Sequence, residues 1–189
     1  MPRSRVTVSE LRIVAGEWRG RRIDIPADAV RPTADRVREA WMSIVGPALD
    51  RARVLDLFAG TGALGLEALS RGAAHCDFVE HEAGVLTTLR RNLATLGAEP
   101  RATVHPGDAL AFVASPPGSA PRWDVAFADP PYHQGIATAL AERWLQAPFA
   151  TIFGVEHEAE ITLPVPPAES SADRRVYGRT AITIYRTDS

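Results

Sequence analysis

The sequence has no lysine, so all 21 of its basic residues are arginine. Arginine pairs bidentately with phosphates and base edges, which leaves a polyanionic partner open without establishing one. A single cysteine, Cys76 in "HCDFVE", excludes an internal disulfide framework and any cysteine-based zinc site, and reads as a buried strand residue. No stretch approaches the roughly 18 consecutive apolar residues of a membrane span. Met1–Glu10 is polar and lacks the apolar segment of a secretory signal. A soluble cytoplasmic protein is expected. His75, His81, His105, His133 and His157 show no metal-ligand spacing, and no metal is expected.

The 189 residues fit one domain with at most a small appendage, and 46% hydrophobic content is enough to build a core. The formal net charge of −2 conceals an asymmetry. Met1–Arg53 holds 11 arginines and 7 acids, net +4, whereas Val54–Ser189 holds 10 and 16, net −6. A basic leading segment before a more acidic domain hints at a polyanion.

"LRIVAGEWRGRRIDIP" (Leu11–Pro26) sets two β-prone runs around "GEWRG" and predicts a hairpin carrying Arg12, Arg19, Arg21 and Arg22, with Trp18 at its tip. In "RPTADRVREAWMSIVGP" Thr33 is expected to cap a helix just after Pro32. Val37, Ala40, Trp41, Ile44 and Val45 form its apolar stripe, and Gly46-Pro47 ends it. Strands then alternate with helices: "RVLDLF", Ala63–Arg71, "CDFVE", Ala83–Leu96, "ATVHPGD", "WDVAFADPPY", Ile136–Leu145 and "ATIFGVEH". Ser115–Pro121 reads as a loop, "PVPPAESSADRR" as a mobile connection, and "RVYGRTAITIY" as two last strands or a hairpin. This order predicts an α/β fold with a mostly parallel sheet covered on both faces.

Gly60, Gly62 and Gly65 in "VLDLFAGTGALGLEAL" have the spacing GxGxxG between a strand and a helix. Such a turn lets any nucleotide-like ligand approach the backbone, and alone it is a weak signal. Its neighbours are acidic. Asp56, four residues before Gly60, is expected to face the ligand, where a carboxylate would repel a pyrophosphate and favour a cation. S-adenosylmethionine carries a sulfonium and an ammonium and no phosphate. Glu80, ending the second strand of the alternation, is placed to accept ribose hydroxyls, and Asp108 to accept from an adenine amino group.

"DPPY", Asp129–Tyr132, ends a later strand. Pro130 and Pro131 fix φ and remove two N–H donors, so the turn offers the Asp129 carboxylate and the Pro130 carbonyl as acceptors. That pair suits an exocyclic amine, which has two N–H donors, and would aim its lone pair at a methyl sulfonium. Tyr132 can stack on a base drawn from its helix.

On these residues the chain resembles the class I S-adenosylmethionine-dependent methyltransferases that act on exocyclic or amide nitrogens. "RIVAGEWRGRRIDIP", "RPTADRVREAWMSI", "VLDLFAGTGALGLEALSRGA", "FADPPY" and "YGRTAITIY" follow the order of the RsmD family, small-subunit 16S rRNA guanine-N2 methyltransferases. The resemblance implies a doubly wound, mostly parallel seven-stranded sheet of Rossmann-like type in residues 31–189. It adds a basic β-hairpin extension in residues 1–30. It implies methyl transfer from S-adenosylmethionine, leaving S-adenosylhomocysteine, to one guanine of 16S rRNA in the small ribosomal subunit or its assembly intermediate; from the chain's size a monomer is expected. Cofactor contacts are then expected from Asp56, Phe58, Ala59, Gly60, Thr61, Gly62, Glu80, His81, Asp108 and Ala109. Asp129, Pro130, Pro131 and Tyr132 would hold the target amine. Arg12, Trp18, Arg19, Arg21, Arg22, Arg31, Thr33 and Arg36 are the expected RNA contacts. The same DPPY chemistry would serve an adenine-N6 or glutamine-N5 methyltransferase. A nucleotide-binding oxidoreductase or a non-catalytic RNA-binding module stands further off.

Overall fold

Alternating apolar strands and amphipathic helices build one seven-stranded sheet with helices on both faces, beside a separate two-stranded hairpin. The computed structural model describes residues 8–26, 32–114, 122–165 and 170–187. The hairpin strands are β1 (Val8–Arg12) and β2 (Arg22–Pro26), followed by helix α1 (Pro32–Val45). Then come β3 (Arg53–Leu57), α2 (Ala63–Ser70), β4 (His75–Glu80), α3 (Ala83–Leu96), β5 (Ala102–Pro106) and α4 (Ala109–Ala114). The chain continues through β6 (Trp123–Ala128), α5 (Ile136–Gln146), β7 (Ala150–Glu158), β8 (Ser170–Tyr177) and β9 (Thr180–Thr187). Spatial order is β5-β4-β3-β6-β7-β9-β8; the first five are parallel and β9 runs antiparallel between β7 and β8. This is the doubly wound α/β fold expected. Among the described residues, no helix is long and apolar enough to cross a membrane.

Two apolar layers sandwich the sheet. One joins the hairpin, α1, α2 and α3 to Val54, Phe78 and Phe127; the other joins α4 and α5 to Leu55, Ala126 and Phe153. Cys76 is buried in β4, and Leu86, Leu89, Leu93 and Leu96 line the inward face of α3, as the periodicity predicts. Trp41 is 1% exposed and meets Phe127 edge-on at 5.4 Å between ring centroids. Its close seat on the sheet depends on Gly154, where an added Cβ would lie 2.1 Å from Trp41 Cζ3.

Three expectations about elements need correction. Helix α1 starts at Pro32, so Thr33 lies inside the first turn rather than capping it; proline suits the first helical position, where its missing N–H costs nothing. Within "PVPPAESSADRR", Ser170–Arg175 belongs to β8. It is an edge strand paired only with β9, and edge strands accept polar and charged side chains. Helix α4, following β5, had not been anticipated. The loop 115–121 lies outside the described residues, as do 166–169 and the boundary between extension and domain at residue 30.

The hairpin is bolted to the sheet domain. The Glu67 carboxylate accepts the N–H groups of Val14 and Ala15 at 2.9 and 3.1 Å, and Ser70 Oγ accepts from Trp18 N–H and donates to the Ala15 carbonyl. Arg21 reaches the Thr95 and Leu96 carbonyls at the C-terminus of α3, the favourable end for a cation. Trp18, expected at an RNA-facing tip, is instead 3% exposed in the core, with the Arg101 guanidinium 4.9 Å from its ring centroid. The tip folds back on the end of α2, which leaves neither ring face free for a base.

Candidate active site

The glycine turn and DPPY are 73 residues apart in sequence, counted from Asp56 to Asp129. They meet because β3 and β6 are neighbouring parallel strands, with Leu57 opposite Ala128. Phe58 and Asp129 each follow the last paired residue, at the carboxyl edge where the strand order reverses. Open sheets of this type bind ligands at that edge.

The turn after β3 is built from left-handed residues. Phe58, Gly60 and Gly62 have φ of 60°, 55° and 91°. An added Cβ on Gly60 would meet nothing within 4 Å, so the backbone there faces open space; on Gly62 it would strike Leu89 Cδ1 at 2.6 Å. Gly60 thus leaves room for a ligand, and Gly62 allows close packing against Leu89. Ala59 and Thr61 are buried; Ala59 N–H extends the β4 pairing by bonding the Val79 carbonyl, and Phe58 is half-buried.

Alternation puts Asp56 on the α2 side of β3. Its carboxylate is 2% exposed and accepts the Gly65 N–H at 2.9 Å, so it supports the turn from beneath rather than facing the ligand as expected. Burial raises its pKa to about 7, with the charges of Asp129 and Glu80 adding to the effect against the Gly65 bond. Glu80 accepts from Gly60 N–H through Oε2 at 2.9 Å and from His81 and Glu82 N–H through Oε1, both at 2.8 Å. Three of roughly four acceptor positions on a carboxylate are then filled, leaving one on Oε2. The His81 side chain is exposed. Asp108, also exposed, accepts the Ala111 N–H at 2.7 Å and so caps α4, while Ala109 is buried.

At the end of β6, solvent reaches Asp129 through a cleft while protein surrounds it on the remaining sides, and this desolvation raises its pKa to about 6. It lines a cavity of about 210 Å³ with Trp41, Leu64 and Glu156, closed on the far side by Leu11 and Ile25 of the hairpin. Pro130 is buried and Pro131 exposed. Tyr132 OH bonds Thr180 Oγ1 at 2.7 Å and donates to Glu156 Oε1 at 3.3 Å; desolvation by burial is the main reason its pKa rises to about 12. Tyr132 and His133 line a second cavity of about 190 Å³, which Glu156 also borders. Burial, then the charge of Asp129, raises Glu156 to about 8. Among the described residues, no arginine or histidine forms an ion pair with Asp56, Asp129 or Glu156.

Of the expected RNA contacts, Arg12, Arg19 and Arg36 are exposed and make no ion pair among the described residues. Arg22 is paired with Glu10 and Arg21 is spent on α3. Arg31 lies outside the described residues, and of Thr33 only the backbone is described.

The family described as Conserved hypothetical protein 95 matches residues 11–186. The protein named Ribosomal RNA small subunit methyltransferase D from Escherichia coli K12 is 39% identical, over 95% of this chain and 91% of its own length. The same-named protein from Haemophilus influenzae is 36% identical, with 94% of each chain covered. The solved Escherichia coli chain assigned as methyltransferase yhhF superposes with a TM-score of 0.82 at 37% identity, covering 95% of this chain and 99% of that one. The chain belongs to the RsmD family.

Three residues escaped the sequence reading, two at this RsmD-family site, Asn92 and Glu156, and one, Glu67, where the hairpin docks. Asn92 is 1% exposed; it bonds both backbone groups of Asp24 in β2 and the Thr61 carbonyl, tying the hairpin to the glycine turn. Glu67 is the only charged residue in the apolar helix "ALGLEALS", a signal that was available. Glu156 is an acid inside the otherwise apolar run "TIFGVE", but only β6 beside it shows that it adjoins Asp129.

Proposed function

We propose that this RsmD-family methyltransferase moves the methyl group of S-adenosylmethionine to the exocyclic N2 of one guanine in 16S rRNA. The substrate is the small ribosomal subunit or its assembly intermediate, and the protein acts as a cytoplasmic monomer. The relatives named for small-subunit rRNA support the substrate. The observation that carries the chemistry is the Asp129–Pro130 acceptor pair beside a glycine turn whose carboxylates have no arginine partner among the described residues.

The donor set fits the cofactor: Glu80 holds the Gly60 N–H beside the open space there, Asp129 ends the neighbouring strand, and Asp56 adds its field from beneath the turn. That arrangement repels a pyrophosphate and attracts a sulfonium. Glu80 and Asp108 would hold the ribose and adenine, and the backbone from Phe58 to Gly62 the methionine portion. When bound, S-adenosylmethionine supplies an electrophilic methyl carbon. Asp129 and the Pro130 carbonyl accept the two N–H bonds of the guanine amine, which orients the nitrogen lone pair and withdraws it from the ring. Once methylated, the nitrogen would be cationic, and Asp129, already accepting one of its N–H bonds, would take the proton it sheds. The arginines Arg12, Arg19 and Arg36 would meet the phosphates.

The test is transfer of tritiated methyl to isolated small subunits, followed by digestion and separation of nucleosides. Label in N2-methylguanosine is expected. Label in another nucleoside, or in protein, refutes the proposal.

A further inference from the structure

Asp129 and Pro130 account for one amine. They do not account for Glu156, a half-buried carboxyl bordering both cavities with no cationic partner among the described residues. Its strand runs beside β6, where Ala128 pairs with Val155, so Asp129 and Glu156 lie one step further along adjacent strands. Tyr132 OH fixes Oε1, leaving Oε2 for a ligand. Trp41 Nε1–H, buried without a hydrogen-bond partner among the described residues, lies near enough to favour the Glu156 charge but outside hydrogen-bonding geometry. The indole also walls the cavity together with Leu11, Ile25 and Leu64, apolar surface for a flat ring, while Arg38, which lines the same cavity, is paired with Asp35 at 3.2 Å.

An amine held at Asp129 brings the adjacent ring atom of its base toward Glu156. In guanine one of the two ring nitrogens flanking the amine, N1, carries hydrogen and can be the one presented; in adenine the ring nitrogen beside the amine carries a lone pair. A glutamine amide has a carbonyl oxygen there. Ionised, the majority form above pH 8, Glu156 accepts from the first and repels the other two, so the discrimination is read at pH 8.5. We infer that Glu156 selects guanine, its free oxygen accepting the N1–H of the base whose amino group Asp129 holds. The inference rests on the guanine-N2 reading and names the residue that enforces it.

2-Aminopurine gives the test, since it keeps the amine at the same position but has a lone pair at N1. Small subunits are assembled on 16S rRNA bearing guanine or 2-aminopurine at the nucleotide that the protein labels. The unaltered protein is expected to prefer guanine in kcat/KM by roughly ten- to hundredfold, the worth of one charge-assisted hydrogen bond. In Glu156→Gln the amide oxygen keeps the Tyr132 bond, so the NH₂ takes the place of Oε2 and can donate to N1 of 2-aminopurine. The preference then collapses or reverses, an outcome that mere loosening of the fold does not produce. A cofactor-induced rise in Tm reports that the variant is folded, and Glu156→Asp replaces it if that rise is lost; the shorter arm pulls the acceptor away and also shrinks the preference. Equal rates on both bases by the unaltered protein, or an unchanged ratio in the folded variant, overturn the assignment. No N2 label in the guanine particles overturns the guanine-N2 reading and this assignment with it.

Discussion

At the scale of single residues, the site divides its labour between carboxylates that differ in what they touch. In the proposed mechanism Asp129 and the Pro130 carbonyl form the acceptor pair, whereas Glu80 holds Gly60, His81 and Glu82 by their N–H groups and has one acceptor position left. Asp129→Ala is therefore expected to lower kcat roughly hundredfold or more through lost positioning, with cofactor affinity little changed. Glu80→Ala should weaken S-adenosylmethionine binding roughly ten- to hundredfold, because it frees the turn as well as losing a hydroxyl contact. Steady-state kinetics beside calorimetric titration check both; equal losses of kcat and affinity in each variant would contradict the division. Asp56 acts differently again. It is buried beneath Gly65, and its charge reaches a ligand through the field rather than by contact.

At the scale of elements, the hairpin is part of the core. Ile13, Trp18 and Ile23 share one apolar layer with α1, α2 and α3. Removing the hairpin would uncover that layer, so deletion is no clean probe of RNA binding. The docking itself can be measured. Glu67→Ala leaves the Val14 and Ala15 N–H groups without their acceptor and should cost on the order of 3 kcal/mol in urea unfolding. Glu67→Gln, which keeps one acceptor oxygen, should cost less. RNA binding is better probed by single arginines. Arg12→Ala and Arg19→Ala should each reduce the slope of log affinity against log salt by about 0.7–0.9, the counterion release of one phosphate contact. Arg21→Ala should leave that slope unchanged, because its guanidinium caps α3. Filter binding to 16S rRNA fragments at several salt concentrations decides between them.

At the scale of the whole molecule, the active site opposes folding at neutral pH. Asp56, Asp129 and Glu156 have folded pKa values raised to about 7, 6 and 8, above their ordinary carboxyl values near 4. The folded chain therefore binds protons more tightly than the unfolded chain, and stability falls as pH rises through that range. The Tm of the ligand-free protein should drop between pH 5.5 and 8.5, and the increment on adding S-adenosylmethionine should grow over the same span as a cation relieves the crowding. Asp56→Asn keeps an oxygen for Gly65 N–H and removes one charge; its ligand-free Tm should exceed that of the unaltered protein at pH 8 by a few degrees, with weaker cofactor binding. Scanning calorimetry at several pH values checks this, and a ligand-free Tm that rises with pH contradicts it. The sequence by itself determined the alternation of strands and helices, the glycine turn and the proline-stiffened turn after β6, because periodicity and turn chemistry are local, and the order of its motif blocks carried the resemblance to the family. Only the tertiary structure decided that Trp18 is core, that Asp56 lies under the turn, that Ser170–Arg175 is an edge strand, and that Glu156 and Asn92 belong to the site. Each of those depends on which distant segment lies alongside, and strand order and the docking of the hairpin settle that through contacts between residues far apart in the chain.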